Sequence, residues 1–219
     1  MVRTISTTPG ELVQRLVIAD VDWRAYSRLL WVFSERPSYR LTFDRGVLEI
    51  MTPLHEREAC LLGRFIDAIT EESGTAVVAS RSTTIRMRSR RRGLEPDNSY
   101  WIANASGVLG LKRIDLRKHP PPELAIEVDV SRSSLNRMAV YGCLRVPEVW
   151  RLDGPQSLTF HRLQPDGSYV VQEPSLAFPL VSPADLLRFL TLSGQYDDTV
   201  ILSQFRAWFR TRLKNAAKP

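Results

Sequence analysis

Residues 120–134 read PPPELAIEVDVSRSS: three prolines, then an apolar run interrupted by acids. Side chains alternate between the two faces of a strand. Read as a strand, the run sets Leu124, Ile126, Val128 and Val130 on one face. Glu127, Asp129 and Ser131, with Ala125, fall on the other. One face is suited to a core and the other carries charge. Upstream, RGLEPDNSYWIAN at 92–104 repeats the theme, with Glu95, Asp97 and Ser99 falling together beside Tyr100, Trp101 and Ile102. If the two strands are neighbours, one end of a sheet gathers up to four carboxylates. Crowded acids resist ionising unless they are solvated, paired with arginine or holding a cation. Mg²⁺ suits the last case, since it takes oxygen ligands and commonly uses one or two carboxylates with water and phosphate. The residue pattern alone leaves a solvated strand edge and a metal site equally open.

Around these strands the periodicity predicts an α/β chain. Residues 22–35 have helical spacing behind a capping Asp22, and 39–52 read as a hairpin around Asp44-Arg45-Gly46. Residues 54–72 carry the clearest apolar stripe, Leu61, Leu62, Phe65, Ile66 and Ile69, closed by Gly74. Strands are predicted around AVVAS (76–80) and TTIRMR (83–88), and a long irregular connection over 104–122. After the acidic strand come a helix capped by Ser133 or Ser134, a strand in PEVWRLD and a hairpin around QPDG. Two terminal helices close the chain at 182–214. Helix, strands, helix, strand implies a central mixed sheet flanked by helices with β-hairpin additions. With no repeat or composition break, the 219 residues are expected to form one domain.

Composition narrows the class. At 43% hydrophobic and 25% charged, the chain has the make-up of a soluble globular protein. No apolar run approaches the roughly 20 residues of a membrane span, and the N-terminus has no apolar signal core, so a cytoplasmic protein is expected. Cys60 and Cys143 read as buried thiols rather than a disulfide framework. His55, His119 and His161 sit far apart, without zinc-ligand spacing. The net charge of +6 and pI near 9.7 favour polyanionic partners. Much of that charge lies in RSTTIRMRSRRRG (81–93). There Arg86, Arg88, Arg90, Arg91 and Arg92 form either a solvated strand end or a phosphate-contacting ridge.

Taken in order, LEPD (94–97), PPELAIEV (121–128), a helix bearing Arg137 and Tyr141, and RVPEVWRLD (145–153) resemble the Uma2 family of restriction-endonuclease-like proteins. That family sits within the PD-(D/E)XK nuclease superfamily, and the resemblance spans about 20–190. It implies a restriction-endonuclease-like core with a divalent metal, Mg²⁺ or Mn²⁺, at one sheet edge. Asp97 falls on the family's Pro-Asp aspartate and Glu127 on the second acid. Asp129 stands where the superfamily keeps a lysine, and Arg137 where Uma2 proteins place one, four residues before Tyr141. His55 matches a family histidine, and Glu56 or Glu58 is a candidate for the acid on the first core helix.

The implied activity is metal-dependent hydrolysis of DNA phosphodiesters. Asp97 and Glu127, with Glu56 and Asp129 as further candidates, would hold the metal. Arg137 would offset phosphate charge, with His55 nearby. Arg86, Arg88, Arg90, Arg91, Arg92 and Tyr141 would meet nucleic acid. Arginine stays protonated and cannot serve as a general base, so the departure from lysine matters. The alternative is a weakened nuclease fold acting as a nucleic-acid-binding or homo-oligomeric assembly module, with a dimer expected from the aromatic helix around Trp208.

Overall fold

The computed structural model describes residues 2–3, 15–34, 39–52, 56–81, 83–111, 114–128, 133, 135–154 and 156–217. In chain order the elements are β1 (Val2–Arg3), β2 (Arg15–Ile18), α1 (Trp23–Phe33), β3 (Arg40–Asp44), β4 (Val47–Met51), α2 (Glu56–Ser73), β5 (Val78–Arg81) and β6 (Ile85–Met87). A short 3-10 turn at Arg88–Arg90 leads to β7 (Arg92–Leu94), β8 (Asn98–Trp101), α3 (Ala105–Val108), β9 (Leu124–Val128) and α4 (Arg137–Leu144). The chain ends with β10 (Glu148–Leu152), β11 (Leu158–Leu163), β12 (Tyr169–Val171), α5 (Pro183–Leu190) and α6 (Asp198–Ala216).

The α/β class is as expected, with one refinement: the described residues form two six-stranded sheets. The first runs β1-β2-β4-β3-β7-β6 and is antiparallel throughout. The second runs β12-β11-β10-β9-β8-β5 and is mixed, its one parallel pair being β9 with β10. The β3/β4 and β6/β7 hairpins therefore do not extend the central sheet. They build a sheet of their own, which covers the second side of α4.

Alternation along the strands assigns each layer. Leu124, Ile126, Trp150 and Phe160 pack with the α2 stripe and with Phe189 and Phe205 of α5 and α6. On the opposite face of the same strands, Ala125 and Val149 meet Val140, Tyr141 and Leu144 of α4. Ile85 and Leu94 of the first sheet close over α4 from the other side. The first sheet's outer face, Leu41, Phe43, Leu48 and Ile50, packs on Tyr26 of α1. The order is thus α1, first sheet, α4, mixed sheet, then α2, α5 and α6.

Local chemistry explains the helix starts. Asp22 caps α1 by accepting the Ala25 N–H at 2.7 Å. Ser182 and Asp185 form a reciprocal capping box on α5. The α4 cap differs from the expectation: Asn136, not Ser133, accepts the Ala139 N–H at 3.0 Å, and Ser134 lies outside the described residues. Ser133 is occupied elsewhere, donating to Glu49 at 2.5 Å. Trp208 is also engaged, packing against Phe189 and Phe205 under the guanidiniums of Arg188 and Arg212.

The β11–β12 turn seats Gly167 against α4, where a Cβ at Gly142 would meet the Gly167 carbonyl oxygen at 2.0 Å. Neither backbone can yield cheaply. Gly142→Ala is therefore expected to destabilise the fold by about 1–3 kcal/mol despite alanine's better helix propensity. Gly194→Ala, whose Cβ meets nothing within 4 Å, should stay within about 0.5 kcal/mol of wild type. Urea denaturation of both variants checks the contrast.

Candidate active site

One acid from each quoted stretch meets the other, Asp97 and Glu127. β8 and β9 are antiparallel neighbours, with Asn98 opposite Ile126. Continued one residue, that register sets Asp97 against Glu127. The Val128 N–H donates to Asp97 Oδ2 at 2.9 Å, which fixes the junction. Glu127 shares a face with Ala125 and so points toward α4, into the layer between the sheets.

Arg137 occupies that layer. Its Nη2 donates to Glu127 Oε1 at 2.5 Å and to the Glu95 carbonyl at 2.9 Å, while Nη1 reaches the Thr42 hydroxyl of the first sheet. Tyr141, one helical turn later, also donates to Glu127 Oε1. Glu127 and Arg137 are 3% and 4% exposed. Arg40 of β3 lies 3.5 Å from Asp97 Oδ1. Glu95 turns back to the first sheet, accepting the Leu41 N–H and the Thr84 hydroxyl, each at 2.9 Å. Glu49, fully buried on β4, pairs in register with Thr42 and accepts from Ser133.

Burial governs the electrostatics. It pushes the carboxyls of Asp97, Glu127 and Glu95 above their usual range. The Val128 amide and the two arginines counter this at Asp97, and the Arg137 charge counters it at Glu127. Burial also raises the Tyr141 phenol, and the Glu127 charge adds to the rise. Burial alone would lower Arg137, but the attraction of Glu127 more than reverses it, so the guanidinium stays charged. Tyr141 therefore serves as a hydrogen-bond donor and Arg137 as a fixed cation. The groups of the cluster left to exchange a proton are the carboxyls.

The other residues singled out in the sequence are placed differently. Tyr141 is fully buried in the core and presents no surface to nucleic acid. The arginine ridge is divided by strand alternation and by the turn. Arg86 folds onto α1, donating to Ser27 at 3.2 Å, and Arg92 binds Asp44 at 2.7 Å. Arg88, Arg90 and Arg91 are exposed on the turn, where Arg91 takes a left-handed φ of 51°. His55 and Asp129 lie outside the described residues, as does the side chain of Glu56. Glu58 lines a small cavity with Leu152, Leu190 and Thr191, on the far face of the mixed sheet. Arg40, Thr42 and Glu49 belong to the cluster and carry no sequence motif; the pairing of β3 with β4 and β7 brings them in. The other deeply buried acid, Glu148, is structural, since its oxygens accept from Leu176 N–H, Ala177 N–H and Ser175.

The donor chemistry fits a small hard cation in type, two carboxylates side by side, the number Mg²⁺ commonly uses. Among the described residues, no group of three or more His, Cys, Asp or Glu side chains is placed to hold a metal.

Comparison with known proteins gives one family. Residues 23–193 match the model of Uma2, described as "Putative restriction endonuclease". Among solved structures, a putative nuclease belonging to DUF820 from Anabaena variabilis ATCC 29413 is similar at 17% identity and a TM-score of 0.47. The similarity covers 68% of this chain and 90% of that one. No curated protein matches. Among the described residues, no helix is long and apolar enough to cross a membrane.

Two outcomes follow from the buried charges. Arg137→Ala strands Glu127 without its counter-charge and is expected to cost about 3–5 kcal/mol in a denaturant titration. A carboxyl with a raised folded pKa binds its proton more tightly when folded. The stability it supports is thus present at low pH and lost as pH rises from its ordinary value, 3.8 for Asp97, through the raised one. Asp97→Asn removes such a group. In chelator, the variant's Tm relative to wild type should therefore rise as the pH is raised above 3.8; a fall would contradict the assignment.

Proposed function

The chain belongs to the Uma2 family, and on that premise we propose that it is a divalent-metal-dependent endonuclease that hydrolyses DNA phosphodiesters. The observation that supports this reading is the placement of Asp97 opposite Glu127 on adjacent antiparallel strands, facing Arg137. In this reading Asp97 and Glu127 hold Mg²⁺ or Mn²⁺. A cation bound there would polarise a phosphoryl oxygen and acidify a coordinated water.

The chain's own residues supply the rest. Val128 N–H and Arg40 orient Asp97, and Tyr141 and Arg137 hold Glu127 by the same oxygen, Oε1. Arg137 brings a fixed positive charge to offset that which builds on the phosphate. Its Nε is buried and makes no hydrogen bond. Since arginine cannot take a proton, water activation falls to the carboxylates and the metal.

One observation favours a second reading. Both acids already have arginine partners, at 2.5 Å for Glu127 and 3.5 Å for Asp97. In that reading the ion pairs replace the metal, and the chain binds nucleic acid or assembles with copies of itself without cleaving.

Nicking of supercoiled plasmid in Mg²⁺ or Mn²⁺ separates the two. The nuclease reading expects wild type to nick and Asp97→Ala and Glu127→Ala to lose at least about a hundredfold in rate. Nicking that survives either change overturns the site. Salt-dependent DNA binding without cleavage in either metal, with nicking gained by Arg137→Lys, marks the weakened nuclease.

A further inference from the structure

A cleft of about 390 Å³ opens beside β6, the edge strand of the first sheet, lined by Trp23, Arg86, Arg88, Ile114, Asp115 and Arg117. It lies on the opposite face of that sheet from the acids. Along β6, Ile85 and Met87 pack toward α4, whereas Arg86 points to α1, its guanidinium 5.8 Å from the Trp23 ring centroid. On β7, Leu94 likewise faces α4, and a Cβ at Gly93 would strike the Tyr26 hydroxyl of α1 at 2.5 Å.

The lining combines two chemistries, positive charge and an aromatic wall. Three arginines line it with one carboxylate. Asp115 is committed to Arg117, whose Nε and Nη2 it accepts at 3.0 and 2.6 Å. That pairing holds the Asp115 carboxyl well below its usual range and fixes the Arg117 plane. Arg86 is braced by Ser27 through Nη1 alone. A surplus of positive charge on forked donors suits phosphate oxygens. The remaining wall is the indole of Trp23, partly overlaid by the Arg86 guanidinium, with Ile114, and suits an aromatic base. The volume falls within the range of small-molecule sites.

We propose that this cleft is a nucleotide-binding site, taking a phosphate on Arg86, Arg88 and Arg117 and the base against Trp23. The nucleotide is either free or one unit of a single strand laid along the sheet edge, where the exposed Arg90 and Arg91 continue the positive surface. The site uses none of the acid cluster, so it stands whether or not the chain cleaves DNA.

Titration of the full chain in EDTA tests it, with adenosine monophosphate, inorganic phosphate and a short single-stranded DNA as probes. Chelation keeps cleavage out of the readout. The expected result is binding of the monophosphate or the strand, weakened about tenfold or more when Arg88→Gln and Arg117→Gln are combined. Asp97→Asn should bind like wild type. Both arginines are exposed, so their replacement leaves the fold intact, which a matched Tm confirms. Equal affinity for monophosphate and strand identifies a free nucleotide. A tighter, salt-sensitive strand identifies nucleic acid. The proposal is overturned if neither probe binds, if inorganic phosphate binds as well as the nucleotide, if the double variant is unaffected, or if Asp97→Asn abolishes binding.

Discussion

A single buried guanidinium ties this molecule together. Arg137 stands between two sheets and contacts Thr42 of one, Glu127 of the other and the Glu95 carbonyl at the end of β7. A charge this deeply buried costs several kcal/mol to desolvate, and only close, well-directed partners offset it. The arrangement therefore contributes less to net stability than to uniqueness. Sliding either sheet past α4 would strand a charge in a dry layer.

That constraint also fixes the chemistry. The hydrophobic face of β9 buries Leu124 and Ile126 under α2, which obliges Glu127 to face α4. The β8–β9 register then decides which acid lies across from it, and the Val128 amide clasps Asp97 at that point. Two carboxyls thus come to share a site with burial raising both. Such crowding is costly for a purely structural element and useful for one that handles protons or cations. Arginine at 137 makes the helix cation permanent, so any change of protonation in the site belongs to the acids.

Much of this was legible in the chain itself. The α2 stripe, the β3/β4 hairpin and the two faces of the acidic strand follow from local periodicity, and the structure keeps them. The repeated Pro-then-acid pattern put acids on like faces of two strands, and Asp97 meets Glu127 because β8 and β9 are neighbours. What periodicity cannot express is which strands pair at a distance. The first sheet assembles β2, β4, β3, β7 and β6 from segments spread over 15–94, and with it come Arg40, Thr42 and Glu49. Each of those resembles an ordinary strand residue until its neighbour is known. The arginine run is divided for a related reason. Alternation sends Arg86 toward α1, a 3-10 turn interrupts the strand, and Arg92 finds Asp44. At α4 two serines obscured the asparagine that caps it.

The most direct examination of the account is a crystal structure of the wild-type chain soaked in Mn²⁺, with the metal located by its anomalous scattering. The account expects one peak bound by oxygens of both Asp97 and Glu127 at roughly 2.0–2.2 Å, with Arg137 still in the adjoining layer. Density showing the two carboxylates turned away from each other, or Mn²⁺ bound only elsewhere, would contradict it.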